Sequence, residues 1–141
     1  LRLNPQLMLA NKWGIDKEHA KRFLRGLADY LAEHEPIPTL VHGDLWSGNC
    51  AMQPDGKGVL IDPACWWADR EVDIAMTKLF GGFSTDFYKG YEEVWSIPNS
   101  AEQRIEIYNL YHLLNHANLF GGTYKDQSLS IMSELERVFE S

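Results

Sequence analysis

The sequence predicts an α+β fold, mainly α-helical, with a small β-hairpin at its centre. Three observations carry this. Apolar residues recur at helical spacing on both sides of the middle of the chain; β-prone residues cluster between Thr39 and Ile61; and Pro54-Asp55-Gly56-Lys57-Gly58 is strong turn chemistry between two short β-prone runs.

Taken in order, Leu7 to Trp13 is a short helix closed by Gly14. Asp16 caps a second helix, whose Phe23, Leu24, Leu27, Tyr30 and Leu31 share a face. Pro36 and Pro38 forbid its continuation. Thr39 to His42 forms a β-prone run into Gly43, and Asn49–Met52 with Val59–Ile61 form the hairpin. An irregular stretch is expected from Asp62-Pro63 to about Asp69. Four helices follow: Arg70 to Phe80, a segment capped by Ser84 running to about Trp95, a long one from Ala101 to Phe120 capped by Ser100, and a last one capped by Thr123.

Length and charge narrow the function. The 141 residues suffice for one domain with a core. A net charge of −7 disfavours nucleic acid and anionic membrane as partners, because nothing would neutralise phosphates in bulk. No apolar run is long enough to span a bilayer. Two cysteines, Cys50 and Cys65, make no disulfide framework, so a reducing compartment is expected, and cytoplasm follows by elimination. The opening Leu1-Arg2-Leu3-Asn4-Pro5 reads as a chain entered in the middle, part of a longer protein.

The chemistry lies in His42-Gly43-Asp44-Leu45-Trp46-Ser47-Gly48-Asn49 and in Asp62. Phosphoryl transfer needs a carboxylate near the attacking hydroxyl and oxygen ligands for a hard cation on the nucleotide phosphates. Asp44 follows a strand, in a loop where it can point into a cleft. Asn49 starts the next strand, and the hairpin returns Asp62 to its neighbourhood. The protein-kinase pattern H-R-D-x-x-x-x-N, followed by the Asp of D-F-G, fits with Gly43 in place of Arg and Asp62-Pro63-Ala64 in place of D-F-G. That makes Asp44 the candidate catalytic residue, and Asn49 and Asp62 the candidate metal ligands. The missing Arg implies no phosphorylation switch, and His-Gly-Asp is the form that resembles aminoglycoside and choline kinases.

The longer string is more specific. With Asp69-Arg70-Glu71-Val72-Asp73-Ile74-Ala75-Met76, Leu110 to His116, Phe120-Gly121-Gly122 and Asn4-Pro5-Gln6, it closely resembles the fructosamine (ketosamine) kinase family across nearly the whole chain. Cys65-Trp66-Trp67-Ala68 departs from that pattern in the loop facing the substrate. The resemblance implies the C-terminal lobe of a protein-kinase-like fold. It also implies ATP and Mg2+ as cofactors, and a ketosamine, free or on a glycated protein lysine, as acceptor. No Gly-rich phosphate loop and no V-A-I-K-like lysine occur. The whole of residues 1–141 is therefore expected to be the catalytic lobe, the nucleotide-binding N-terminal lobe lying outside this chain, and the piece alone to be inactive.

Other residues have two readings each. His42 is expected to pin the loop to the backbone. Asp73 is either a solvated helix acid or, as the resemblance implies, a brace for the loop amides. Asp69 is a supporting charge. Trp46 and Trp66 either wall the acceptor pocket or simply pack. His112 and His116 are four apart, a zinc-like spacing, but lack a third ligand; they are taken as core or cleft-wall residues on the acceptor side. The competing functions are a related aminoglycoside- or choline-type kinase and a non-catalytic kinase-like binding module.

Overall fold

The structure, a computed structural model, describes residues 2–141; Leu1, and with it the start of the opening segment, lies outside them. The described residues carry six α-helices and two two-stranded sheets, so the mainly helical α+β class holds. They divide into two compact units. One comprises the chain up to Glu35 together with Asn109–Ser141; the other is Pro36–Tyr108.

The first unit is helical. α1 (Leu3–Ala10) begins earlier than Leu7. Pro5 does not prevent this, because the first-turn N–H groups of a helix have no intrahelical partner to lose. α2 (Lys17–Tyr30) is capped as the sequence predicts: Asp16 Oδ1 accepts the N–H of Glu18 and of His19, both at 2.9 Å. The His19 N–H, with that of Glu18, holds the Asp16 carboxyl below its ordinary range. Leu7, Ala10, Ala20, Phe23 and Leu27 are buried. α6 (Thr123–Phe139) lies against α2: Phe139 meets the rings of Phe23 and Tyr30 at 5.6 and 5.5 Å, and His19 Nε2 bonds Glu136 Oε1 at 2.7 Å. Thr123 is not the cap of α6. Gly122 holds that position without a side-chain bond, and Thr123 is the first helical residue.

The second unit holds both sheets. β1 (Thr39–Val41) pairs antiparallel with β4 (Trp66–Ala68), in the register Thr39↔Ala68 and Val41↔Trp66. This corrects the expectation of an irregular stretch after Pro63 and of a single hairpin. The hairpin itself is β2 (Cys50–Met52) with β3 (Gly58–Leu60), closed by Gln53 N–H to Lys57 O at 2.8 Å. α3 (Glu71–Leu79) and α4 (Thr85–Val94) follow, the latter capped by Ser84 Oγ. Ile74 and Ala75 of α3 pack with Ala101 and Ile105 of α5 (Ala101–Phe120), which begins in this unit and ends in the other. Beside that core Arg104 grips Glu71 with two bonds of 2.7 Å, both side chains being buried. Ser100 Oγ accepts from Arg104 Nη2 at 3.3 Å. No helix among the described residues is long and apolar enough to cross a membrane.

Candidate active site

Val41, the last residue of β1, is buried, and the chain leaves it at His42, whose every polar group is used. Its N–H donates to Asp73 Oδ2 at 2.7 Å, and its carbonyl accepts from Ala64 and Cys65 N–H at 2.8 and 3.1 Å. On the ring, Nε2 donates to Ile61 O at 2.9 Å while Nδ1 accepts the N–H of Asp44 at 3.3 Å. Those two bonds define one neutral tautomer. The imidazole thus ties the loop before Asp44 to the strand end before Asp62.

Gly43 N–H donates to the second Asp73 oxygen at 2.9 Å. Gly43 has φ +82, and a Cβ there would stand 2.6 Å from Trp66 Nε1. Position 43 therefore demands glycine twice, for conformation and for space. The loop has no room for the Arg of protein kinases while Trp66 stands where it does.

Asp44 is half-buried. Asn49, nearly buried at 7% exposure, donates from Nδ2 to Asp44 O at 2.9 Å and to Asp44 Oδ2 at 3.0 Å. One amide thereby fixes both the backbone and the carboxylate of Asp44, and its oxygen, Oδ1, is the atom left to offer a cation. Asn49 O accepts Ile61 N–H at 3.0 Å, which extends the hairpin and sets Asp62 beside Asn49. Asp62 is exposed and has φ +51, a left-handed conformation that Asp tolerates better than most residues, at a cost of about 1–3 kcal/mol. An amide oxygen and a carboxylate are hard donors, a set that suits Mg2+ and not a soft metal.

Of the tryptophans, Trp46 is 41% exposed and its indole folds over Gly48, where a Cβ would collide with it. Trp66 lies half-buried against Gly43. Asp69 takes a different place: its Oδ2 accepts the Tyr108 hydroxyl at 2.8 Å and its Oδ1 the Glu71 N–H at 3.0 Å, so it anchors the start of α3. Burial, and then the Asp69 carboxylate, push the Tyr108 phenol far above its ordinary range. His112 and His116 belong to the other unit; His116 Nδ1 donates to His112 O at 2.8 Å, and its ring lies against Phe120 and Tyr124. The Pro36–Tyr108 unit therefore contains His42, Asp44, Trp46, Asn49, Asp62, Trp66, Asp69 and Asp73, with Asp69 at the start of α3 and not on the 42–49 loop. Sequence reasoning missed the Glu71–Arg104 pair: 33 residues separate the two, and no local pattern marks it.

Comparison with known proteins points the same way. The profile of the family described as fructosamine kinase matches residues 1–137. "Probable ketoamine kinase" of Vibrio vulnificus (strain CMCP6) is 49% identical over 127 residues, covering 90% of this chain and 44% of that protein. "Probable ketoamine kinase" of Escherichia coli (strain K12) is 45% identical over 123 residues, covering 87% and 43%. A crystal structure of a protein provisionally named fructosamine-3-kinase from Haemophilus somnus 129PT superposes with a TM-score of 0.80 at 34% identity, covering 95% of this chain and 46% of that one. The chain spans less than half the length of these relatives.

Proposed function

The chain belongs to the fructosamine kinase family, and on that premise we propose that its protein transfers the γ-phosphoryl group of ATP to a sugar hydroxyl of a ketosamine, free or on a glycated protein lysine. The observation that carries this is the double grip of Asn49 on Asp44, with Asp62 set beside Asn49 by the Ile61–Asn49 bond. A carboxylate held this way can orient the acceptor hydroxyl and take its proton. The hydroxyl oxygen then bonds the γ-phosphorus, and the bond to the ADP oxygen breaks. Asn49 and Asp62 are the residues that would hold Mg2+, which supplies charge neutralisation on the nucleotide phosphates.

His42 and Asp73 keep the loop in place while this happens. Trp46, exposed two residues after Asp44, offers a flat wall for a sugar, and Trp66, His112 and His116 are the further acceptor-side candidates. The nucleotide-binding lobe is assigned to the length of the relatives that this chain does not span, and cytoplasm is proposed as the compartment. Aminoglycosides are polycations and call for many acids near the acceptor. The residues offered here as the acceptor wall next to Asp44, Trp46 and Trp66, are instead aromatic, which favours a ketosamine.

The test is a coupled ATP-consumption assay on the full-length protein with a fructose-lysine-type ketosamine and a kanamycin-type aminoglycoside. Faster turnover of the ketosamine is expected, and Trp46→Ala should lower kcat/KM for it more than it changes ATP affinity. A preference for the aminoglycoside defeats the substrate assignment. No ATP-dependent transfer to either would leave the binding-module reading standing.

A further inference from the structure

Gly82 lies just beyond α3 with φ +92, and a Cβ built on it would stand 2.6 Å from the Cβ and 2.7 Å from the Oγ of Ser47. Non-bonded carbons do not approach so closely. Ser47 Oγ could rotate away, but its Cβ is fixed to the backbone, so any side chain at position 82 must move one of two backbones. The neighbouring Gly81 has φ +69, yet a Cβ there meets nothing within 4 Å. The two glycines share a conformational need and differ in one respect: only Gly82 lies against the 42–49 loop.

Ser47 opens the 3-10 turn Ser47–Asn49. Asn49 N–H bonds Trp46 O at 2.9 Å, and Cys50 N–H bonds Ser47 O. Two residues after Ser47, the Asn49 amide grips Asp44, and the Asn49 carbonyl holds the strand end before Asp62. A shift at Ser47 is therefore passed to both groups. The other end of the loop is held by Asp73, in the first turn of the same helix that ends near Gly82. From Asp73 to the last helical residue, Leu79, the helix runs about 9 Å at about 1.5 Å per residue, and Gly82 follows three residues on.

We propose that Gly82 is a positioning residue for phosphoryl transfer: its missing side chain lets the exit of α3 seat Ser47, and that contact sets where Asp44 and Asn49 stand. The inference rests on the phosphotransferase reading above. Its test is a double-mutant cycle in the full-length protein: wild type, Gly82→Ala, Ser47→Gly and the double variant, with Gly81→Ala as control. Turnover, thermal stability and hydrogen exchange at the Asn49 and Cys50 amides are read for each. Gly82→Ala should lower kcat on the order of ten- to a hundredfold with little change in KM for ATP, but by less than about threefold in the Ser47→Gly background. Gly81→Ala should lower Tm, because its left-handed φ disfavours alanine, and keep kcat. Exchange at Asn49 and Cys50 should quicken in Gly82→Ala and return in the double variant. Equal losses of kcat from Gly82→Ala in the wild-type and Ser47→Gly backgrounds, or a Gly81→Ala loss as large as that of Gly82→Ala, would overturn the proposal. A wild type without ketosamine turnover would instead defeat the substrate reading, and the exchange pattern would then decide whether Gly82 seats the loop.

Discussion

The two carboxylate oxygens of Asp73 receive the N–H groups of successive residues, His42 at 2.7 Å and Gly43 at 2.9 Å. A single side chain on α3 thus fixes the peptide that leads directly into Asp44. Hydrogen bonds to a charged acceptor are each worth about 1.5–3 kcal/mol, and an amide in place of the carboxylate can keep only one of them. Asp73→Ala should therefore lower both kcat and unfolding free energy more than Asp73→Asn. Urea denaturation and steady-state kinetics on the full-length protein check the order. Unchanged values in Asp73→Ala would remove the brace.

The buried Arg104–Glu71 pair makes a separate prediction about stability. Arg104→Met leaves the Glu71 carboxylate buried without its partner, which should cost about 3–5 kcal/mol. Replacing both, as Glu71→Leu with Arg104→Met, should recover most of that loss. Denaturation midpoints of the three variants test it, and strictly additive losses would contradict it.

The thiols should separate by reactivity. Cys65 is exposed, whereas burial pushes the Cys50 thiol above its ordinary range. The thiolate is the reactive form, so at neutral pH iodoacetamide should label Cys65 first. Labelling of Cys50 should keep rising as pH is raised through and beyond the usual thiol range. Peptide mapping by mass spectrometry reads both rates. Faster labelling of Cys50 at neutral pH would show that its surroundings do not protect the thiol.

Local signals made most of this architecture legible. Asp16 and Ser84 cap their helices, and the Pro54–Gly58 turn closes its hairpin, because each depends on residues a few positions apart. β4 was not legible. Trp66-Trp67-Ala68 lacks polar alternation, and its partner β1 lies on the far side of the whole hairpin in sequence, so only tertiary pairing makes it a strand. Thr123 looked like a cap, but Gly122 takes the turn. In the candidate site, spacing singled out Asp44, Asn49 and Asp62 as candidates. The packing around their loop was not legible: Gly43 against Trp66 and Gly82 against Ser47 are close approaches between distant segments.

The two proposed metal ligands should differ in weight. A carboxylate brings charge to the cation and an amide brings only a dipole. Asp62→Ala should therefore raise the Mg2+ concentration needed for half-maximal turnover more than Asn49→Gly does. Asn49→Gly should additionally lower kcat at saturating Mg2+, because its amide also holds Asp44. Magnesium titrations of both variants decide this. The same Mg2+ requirement as wild type in both would exclude these residues as ligands.

The central claim is that Asp44 acts on the acceptor hydroxyl, and the most direct measurement is single-turnover transfer by the full-length protein. Enzyme in excess is mixed with Mg2+, ATP and a fructose-lysine-type ketosamine, and the phosphorylated product is quantified by mass spectrometry against time. A positioned base contributes about 10²–10⁴-fold, so Asp44→Asn should slow product formation by that factor while ATP affinity stays near wild type. Product formation by Asp44→Asn at the wild-type rate would contradict the account.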